Sequence, residues 1–279
     1  MSAPTRPRTI LITGCSSGIG YAAAHTMRAR GWHVFASCRT VEDCERLRAE
    51  GFDAPRIDYA DEDSIADGLR EVLAATGGSL DALFNNGAYA IPGAVEDLPS
   101  DALRAILEAN LIGWHTLTRA VLPVMRAQGR GRIVQCSSVL GLITMPWRGA
   151  YNATKFALEG LTDTLRQEMR GTGIDVILIE PGPITSDFRR NSIKQFERWI
   201  DWRASPRAAQ YESELRPRLY DSVKKARFEL GPEAVVTKLI HAVESPRPRA
   251  RYYVTAPTYF AGLMRRILPT RVLDQVLGG

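Results

Sequence analysis

Short apolar, β-branched runs alternate with segments of helical period along most of this chain. Strands are expected at Thr9-Ile-Leu-Ile-Thr13 and then at 32–37, 55–58, 80–84, 131–137, 174–180 and 251–255. Helices are expected between them, at 19–30, 41–50, 65–75, 101–128, 150–170 and 231–244. Gly31, Gly51 and Gly77-Gly78 fall where a helix needs a left-handed stop. Most strand runs are apolar throughout instead of alternating, which predicts strands buried on both faces. With strands and helices in alternation, this predicts an α/β fold: one doubly wound parallel sheet of about seven strands in a single domain, 1–279.

The beat stops after Pro183. Residues 186–229 are polar, basic and aromatic, with Phe188, Phe196, Trp199, Trp202 and Tyr211. They read as a helical insertion on the substrate side, a candidate lid. The tail, 257–279, is amphipathic: Phe260, Leu263, Met264, Ile267 and Leu268 share a helix face, and Pro269 interrupts it. It is expected to pack beside the substrate entrance or on a partner subunit. Contact with an anionic membrane is the alternative, because Arg265, Arg266 and Arg271 lie alongside.

Composition narrows the function classes. At 279 residues, 45% hydrophobic and with a net charge of +5, disorder is excluded as the dominant state. Cys15, Cys38, Cys44 and Cys136 show neither metal-ligand spacing nor the density of a disulfide scaffold. Reduced thiols, no metal and a cytoplasmic location are expected. No apolar run reaches the roughly 18 residues of a membrane span. The 36 basic residues are scattered among 31 acidic ones, so no nucleic-acid partner is expected.

The first strand runs into Thr13-Gly14-Cys15-Ser16-Ser17-Gly18-Ile19-Gly20 and then a helix. Gly14 allows a tight turn, Gly18 a close approach to a ligand, and Gly20 close packing of helix on strand. The free N–H groups of the helix start then suit a pyrophosphate. The same residues fit G-x-S-x-G, a hydrolase nucleophile elbow centred on Ser16. An elbow, however, follows several strands and needs a downstream acid and histidine. Only His115 and His241 lie in the latter part of the chain, both on helices.

At the second strand end stands Arg39, with no acid at the tip, which suits a 2′-phosphate better than a free ribose. Asp58 is expected to face an adenine edge, and Asn85 and Gly87 to border a cofactor crossing the sheet. Tyr151 and Lys155, four apart, share a helix face. A lysine cation beside a tyrosine favours the phenolate. Ser138, ending the preceding strand, could hold a substrate oxygen against the Tyr151 hydroxyl.

Together these motifs resemble the short-chain dehydrogenase/reductase family over roughly Thr9 to Val254. The stretch Ala150-Tyr-Asn-Ala-Thr-Lys-Phe-Ala-Leu-Glu-Gly160 is similar to the branch of 17β-hydroxysteroid and retinol dehydrogenases and bacterial aldehyde reductases. The resemblance implies a Rossmann-type domain and a tetrad of Asn110, Ser138, Tyr151 and Lys155. It implies a cofactor cradle of Gly14, Ser16, Ser17, Gly18, Ile19, Gly20, Arg39, Asp58, Asn85 and Gly87. Tyr151, Lys155, Pro181, Gly182 and Ile184 would lie at the nicotinamide end. Where the family often has Asn-Asn-Ala-Gly, this chain has Asn85-Asn86-Gly87-Ala88, and Thr185 or Ser186 stands in for the family threonine. The expected activity is hydride transfer between NADP(H), in preference to NAD(H), and an apolar alcohol, ketone or aldehyde. A homodimer or homotetramer is the expected assembly. The rival from another class is a non-catalytic dinucleotide sensor, which would keep the glycine loop and lose the tetrad.

Overall fold

In the computed structural model, residues 7–221 and 228–278 are described. The strands are β1 (Thr9–Ile12), β2 (His33–Ala36), β3 (Ala82–Asn85), β4 (Gly131–Cys136), β5 (Ile174–Glu180) and β6 (Arg251–Tyr253). They form one sheet in the order β2-β1-β3-β4-β5-β6, with every pairing parallel. All residues of β1 and β3 are buried, which requires cover on both faces. The chain leaves β1 toward β2 and returns to the other side of β1 as β3. The order therefore reverses between β1 and β3, and a crevice opens at their carboxyl ends.

Helices α1 (Gly18–Ala29), α2 (Val41–Ala49), α3 (Glu62–Thr76), α4 (Ser100–Leu107), α5 (Gly113–Gln128) and α6 (Gly149–Glu168) make the crossovers. α7 (Phe188–Trp199) and α8 (Ala208–Gln210) belong to the insertion. α9 (Glu233–Glu244), α10 (Ala256–Ile267) and α11 (Thr270–Gly278) follow. α1 packs against α9, and α3 against α5.

Two expectations need correction. The expected strand at 55–58 is an extended segment that touches β2 only at Phe35–Asp53 and Cys38–Arg56. Pro55 has no N–H to give a ladder, and the Ala54 carbonyl is taken by Arg48 Nη2 at 2.7 Å. Among the described residues the sheet thus has six strands, and Asp58 lies in a loop. The helix expected over 101–128 is interrupted by a wide π turn, Glu108–Ile112, which carries Asn110. In the tail, α10 buries its small face, Thr258, Ala261 and Gly262, while Phe260, Leu263 and Ile267 are 52%, 56% and 61% exposed.

Part of the insertion falls outside the described residues. The rest forms a second apolar cluster: Phe196, Ile200, Tyr211, Leu215 and Leu219 pack with Ile91, Ile106 and Tyr151. Among the described residues no helix is long and apolar enough to cross a membrane.

Candidate active site

The glycine loop is built by close approach of backbones. Gly14 has φ +67°, and a Cβ there would lie 2.5 Å from the Gly87 Cα. A Cβ on Gly20 would lie 2.2 Å from the Gly14 carbonyl oxygen. Gly18, at φ +58°, faces Ser186. Thr13 ties this loop to the end of β3. Its Oγ1 accepts from the Asn86 N–H at 2.9 Å, and the Tyr59 hydroxyl lies 2.7 Å away. The Asn86 amide donates to the Thr13 carbonyl at 3.1 Å.

The start of α1 is left open to a ligand. Thr40 caps α2 and Asp61 caps α3 through their side chains, and both helices carry acids in the first turn. The Ser17 side chain makes no cap and the first turn of α1 has no acid. Its N–H groups and dipole end therefore remain available to an anion. Ser16 is exposed; its carbonyl accepts from Arg46 Nη2 at 2.7 Å. His241 is engaged with the Tyr252 hydroxyl at 2.7 Å and His115 is exposed on α5, so the elbow reading finds no base.

Arg39 is exposed at the end of β2, and among the described residues its side chain has no ion-pair partner. Asp58 accepts from the Ala60 N–H at 3.1 Å. Asn85 is buried: its amide donates to Thr118 Oγ1 at 3.0 Å and Gln135 Oε1 at 2.9 Å, and its carbonyl faces the Tyr59 hydroxyl at 2.6 Å. Its side chain is committed to joining β3, β4 and α5.

At the other end of the crevice, α6 presents Tyr151 and Lys155, both buried. Lys155 Nζ donates to the Cys136 carbonyl at 2.8 Å, lies 4.4 Å from the centre of the Trp114 ring and 5.5 Å from that of Tyr151. Burial pushes the lysine down to about 8. Burial also pushes the Tyr151 hydroxyl well above its ordinary range; a hydrogen bond with Ser138 and the charge of Arg148 oppose this. Ser138 is extended and accepts from the Leu140 N–H at 3.1 Å. Asn110, on the π turn, clamps the loop after β3: its carbonyl accepts from the Tyr89 N–H at 3.1 Å and its amide donates to the Tyr89 carbonyl at 2.7 Å.

After β5, the Pro181 carbonyl accepts from the Val139 N–H at 2.7 Å, holding the turn beside Ser138. A Cβ on Gly182 would lie 2.1 Å from Thr255 Oγ1, so α10 begins against this turn. Thr185 donates to Glu229 at 2.6 Å, whereas Ser186 sits over Gly18. Ile184 pairs with Leu230.

This arrangement can be set beside known proteins. Residues 8–197 match the family model described as short chain dehydrogenase. The chain belongs to the short-chain dehydrogenase family. The oxidoreductase YbbO of Escherichia coli strain K12 is 41% identical over 98% of this chain and 94% of its own. The NADPH-dependent 3-dehydrocapnine reductase of Ornithobacterium rhinotracheale is 30% identical, covering 96% and 95%. A short-chain dehydrogenase from Streptomyces avermitilis has the same fold, with a TM-score of 0.78, 27% identity and 98% and 94% coverage. This family member is an oxidoreductase, and its fold binds a nicotinamide dinucleotide. The residues fit that group: the glycines let the loop backbone pack tightly against the end of β3 and the start of α1, and the uncapped, acid-free N-terminus of α1 suits a pyrophosphate.

Sequence reasoning passed over several residues of this site. Trp114 donates to the Gly87 carbonyl at 2.9 Å while carrying Lys155 on its ring. Beneath Lys155 lies a buried charge network. Arg251 Nη1 donates to Glu159 at 2.5 Å and also to Glu180, and Nη2 donates to Asp163 at 2.6 Å. Glu159 Oε1, Glu180 Oε2 and Ser137 Oγ are buried without a hydrogen-bond partner among the described residues. Burial, then the negative charge of Glu159, push Glu180 up to about 8. Each of these residues looks like an ordinary surface charge in the sequence; only the fold brings them together.

Proposed function

We propose that this protein reduces the carbonyl group of an apolar ketone or aldehyde with NADPH, and runs the reverse oxidation of the alcohol. The observation that carries the reading is the convergence of Tyr151, Ser138 and Lys155 at one end of the crevice. Ser138 and Tyr151 hold the substrate oxygen between their hydroxyls. Tyr151 is protonated at neutral pH, since burial raises it, and so stands as a proton donor to that oxygen. The Lys155 cation, one turn along, stabilises the phenolate left behind. Trp114 and the Cys136 carbonyl fix where that cation sits. The nicotinamide ring, when bound, supplies or accepts the hydride.

The preference for NADP(H) over NAD(H) rests on Arg39, whose guanidinium is exposed at the end of β2. One relative is named as NADPH-dependent, and a neighbouring structure is described with NAD. Asn110 acts by holding the loop at Tyr89. The aromatic insertion, packed against Tyr151 through Phe188, serves as a lid that keeps water from the site.

The test is Tyr151→Phe. Turnover of NADPH with a panel of apolar aldehydes should fall at least about 100-fold, with cofactor affinity nearly unchanged. Near-native turnover in this variant would remove the mechanism.

A further inference from the structure

The mouth of the site carries positive charge that hydride transfer to a purely apolar carbonyl does not use. Arg148 stands at the N-terminal cap of α6, one turn before Tyr151. It is only partly exposed, and among the described residues its guanidinium makes no hydrogen bond and no ion pair. Arg132, Arg166, Arg207 and Arg251 each meet a carboxylate. Withdrawing a guanidinium from water without a partner is costly.

The position is also held at a cost. Trp147, just before it, has φ +67°, a conformation that side chains other than glycine rarely adopt. The Trp147 carbonyl accepts from the Gly93 N–H at 3.1 Å and its ring lies 4.8 Å from that of Tyr211. These contacts pin the turn that aims Arg148.

Two more arginines, from other elements, lie close enough to act on the charge of Arg148. Arg189 follows Phe188, whose ring meets that of Tyr151 edge-on at 5.4 Å. Arg218 precedes Leu219, which packs in the same apolar cluster as Tyr151. Both are exposed and make further contacts of their own. Both also act on Arg148, which is pushed down by burial first and then by their like charge.

We infer that Arg148, with Arg189 and Arg218 at the rim, binds an anionic group carried by the carbonyl substrate. The substrate is then an amphiphile: an apolar chain lying on the aromatic cluster, and a carboxylate, sulfonate or phosphate a few bonds from the carbonyl. This rests on the carbonyl-reduction reading above and narrows its substrate class.

The experiment compares a long-chain 4-oxo fatty acid with its methyl ester, following NADPH oxidation. The ratio of the two kcat/KM values is the readout, because loss of the Arg148 charge also alters Tyr151 and so affects both substrates alike. The wild type should prefer the acid at least about tenfold, as a charge-assisted contact allows. Arg148→Gln should abolish that preference, and Arg148→Lys should keep part of it. Arg189→Gln, on an exposed helix surface, should weaken it severalfold without depending on how Arg148 variants fold. Raising the salt concentration should also erode it. Equal use of acid and ester by the wild type, or an unchanged ratio in Arg148→Gln, would overturn the anion site and leave carbonyl reduction standing. If acid, ester and plain aldehydes all fail with both NADPH and NADH, the underlying reading falls and takes this one with it.

Discussion

Replacing Glu180 by glutamine puts a neutral amide where two buried carboxyl groups share one arginine. Glu159 Oε1 and Glu180 Oε2 have no partner among the described residues, and Arg251 Nη1 already serves an oxygen of each residue. A proton held by the pair relieves both orphaned oxygens. Its cost appears as pH dependence. Glu180 is pushed up to about 8 from its ordinary 4.5, so the folded state binds this proton more tightly than the unfolded chain. The contribution to stability is complete below the unfolded value and is lost as pH rises toward the folded one. Between pH 6 and pH 8 that loss comes to about 2 kcal/mol. The glutamine side chain of the variant has nothing to ionise. In urea unfolding at those two pH values, the wild type should lose about 2 kcal/mol more than Glu180→Gln. An equal loss in both proteins would mean that the pair carries no proton and that Arg251 balances two full charges.

Two further outcomes follow from the crevice. Arg39→Ala should weaken NADPH binding relative to NADH by about 1.5–3 kcal/mol, since only NADPH bears a 2′-phosphate; titration with each cofactor that gives equal losses removes Arg39 from that role. Amide exchange in α7 should slow when cofactor and substrate bind together, if the insertion closes over the site; unchanged exchange would make it a fixed wall.

Much of the architecture was legible because its signals are local. Buried parallel strands announce themselves as unbroken apolar runs, and the glycine loop, Ser138, Tyr151 and Lys155 sit at strand ends and on one helix face. What escaped was decided by partners distant in sequence. The segment 55–58 is extended as expected, yet proline and a claimed carbonyl deny it a ladder. The π turn was invisible because Ala102, Ile106, Asn110 and Trp114 recur every four residues, as a regular helix also permits. The apolar stripe of the tail is legible as one helix face, whereas the small residues Thr258, Ala261 and Gly262, which meet the domain, carry no sequence signal. Arg148 and Arg251 look alike in sequence; only the fold gives Arg251 three carboxylates, while Arg148 meets none among the described residues.

The π turn at Glu108–Ile112 works as a phase adjuster in a helix that must serve two masters. Before it, Ala102 and Ile106 face the aromatic cluster. After it, Gly113 lies against Tyr59, closely enough that a Cβ would stand 2.2 Å from the Tyr59 carbonyl oxygen. Trp114 then reaches Gly87, and Thr118 reaches Asn85. Deleting one residue from this stretch would restore a regular helix and turn everything beyond it by about 100°. The indole under Lys155 and the hydroxyl under Asn85 would swing off their targets together. Insertions and deletions here are therefore constrained by angle as well as by length: the segment tolerates substitution at its exposed positions far more readily than any change in residue count.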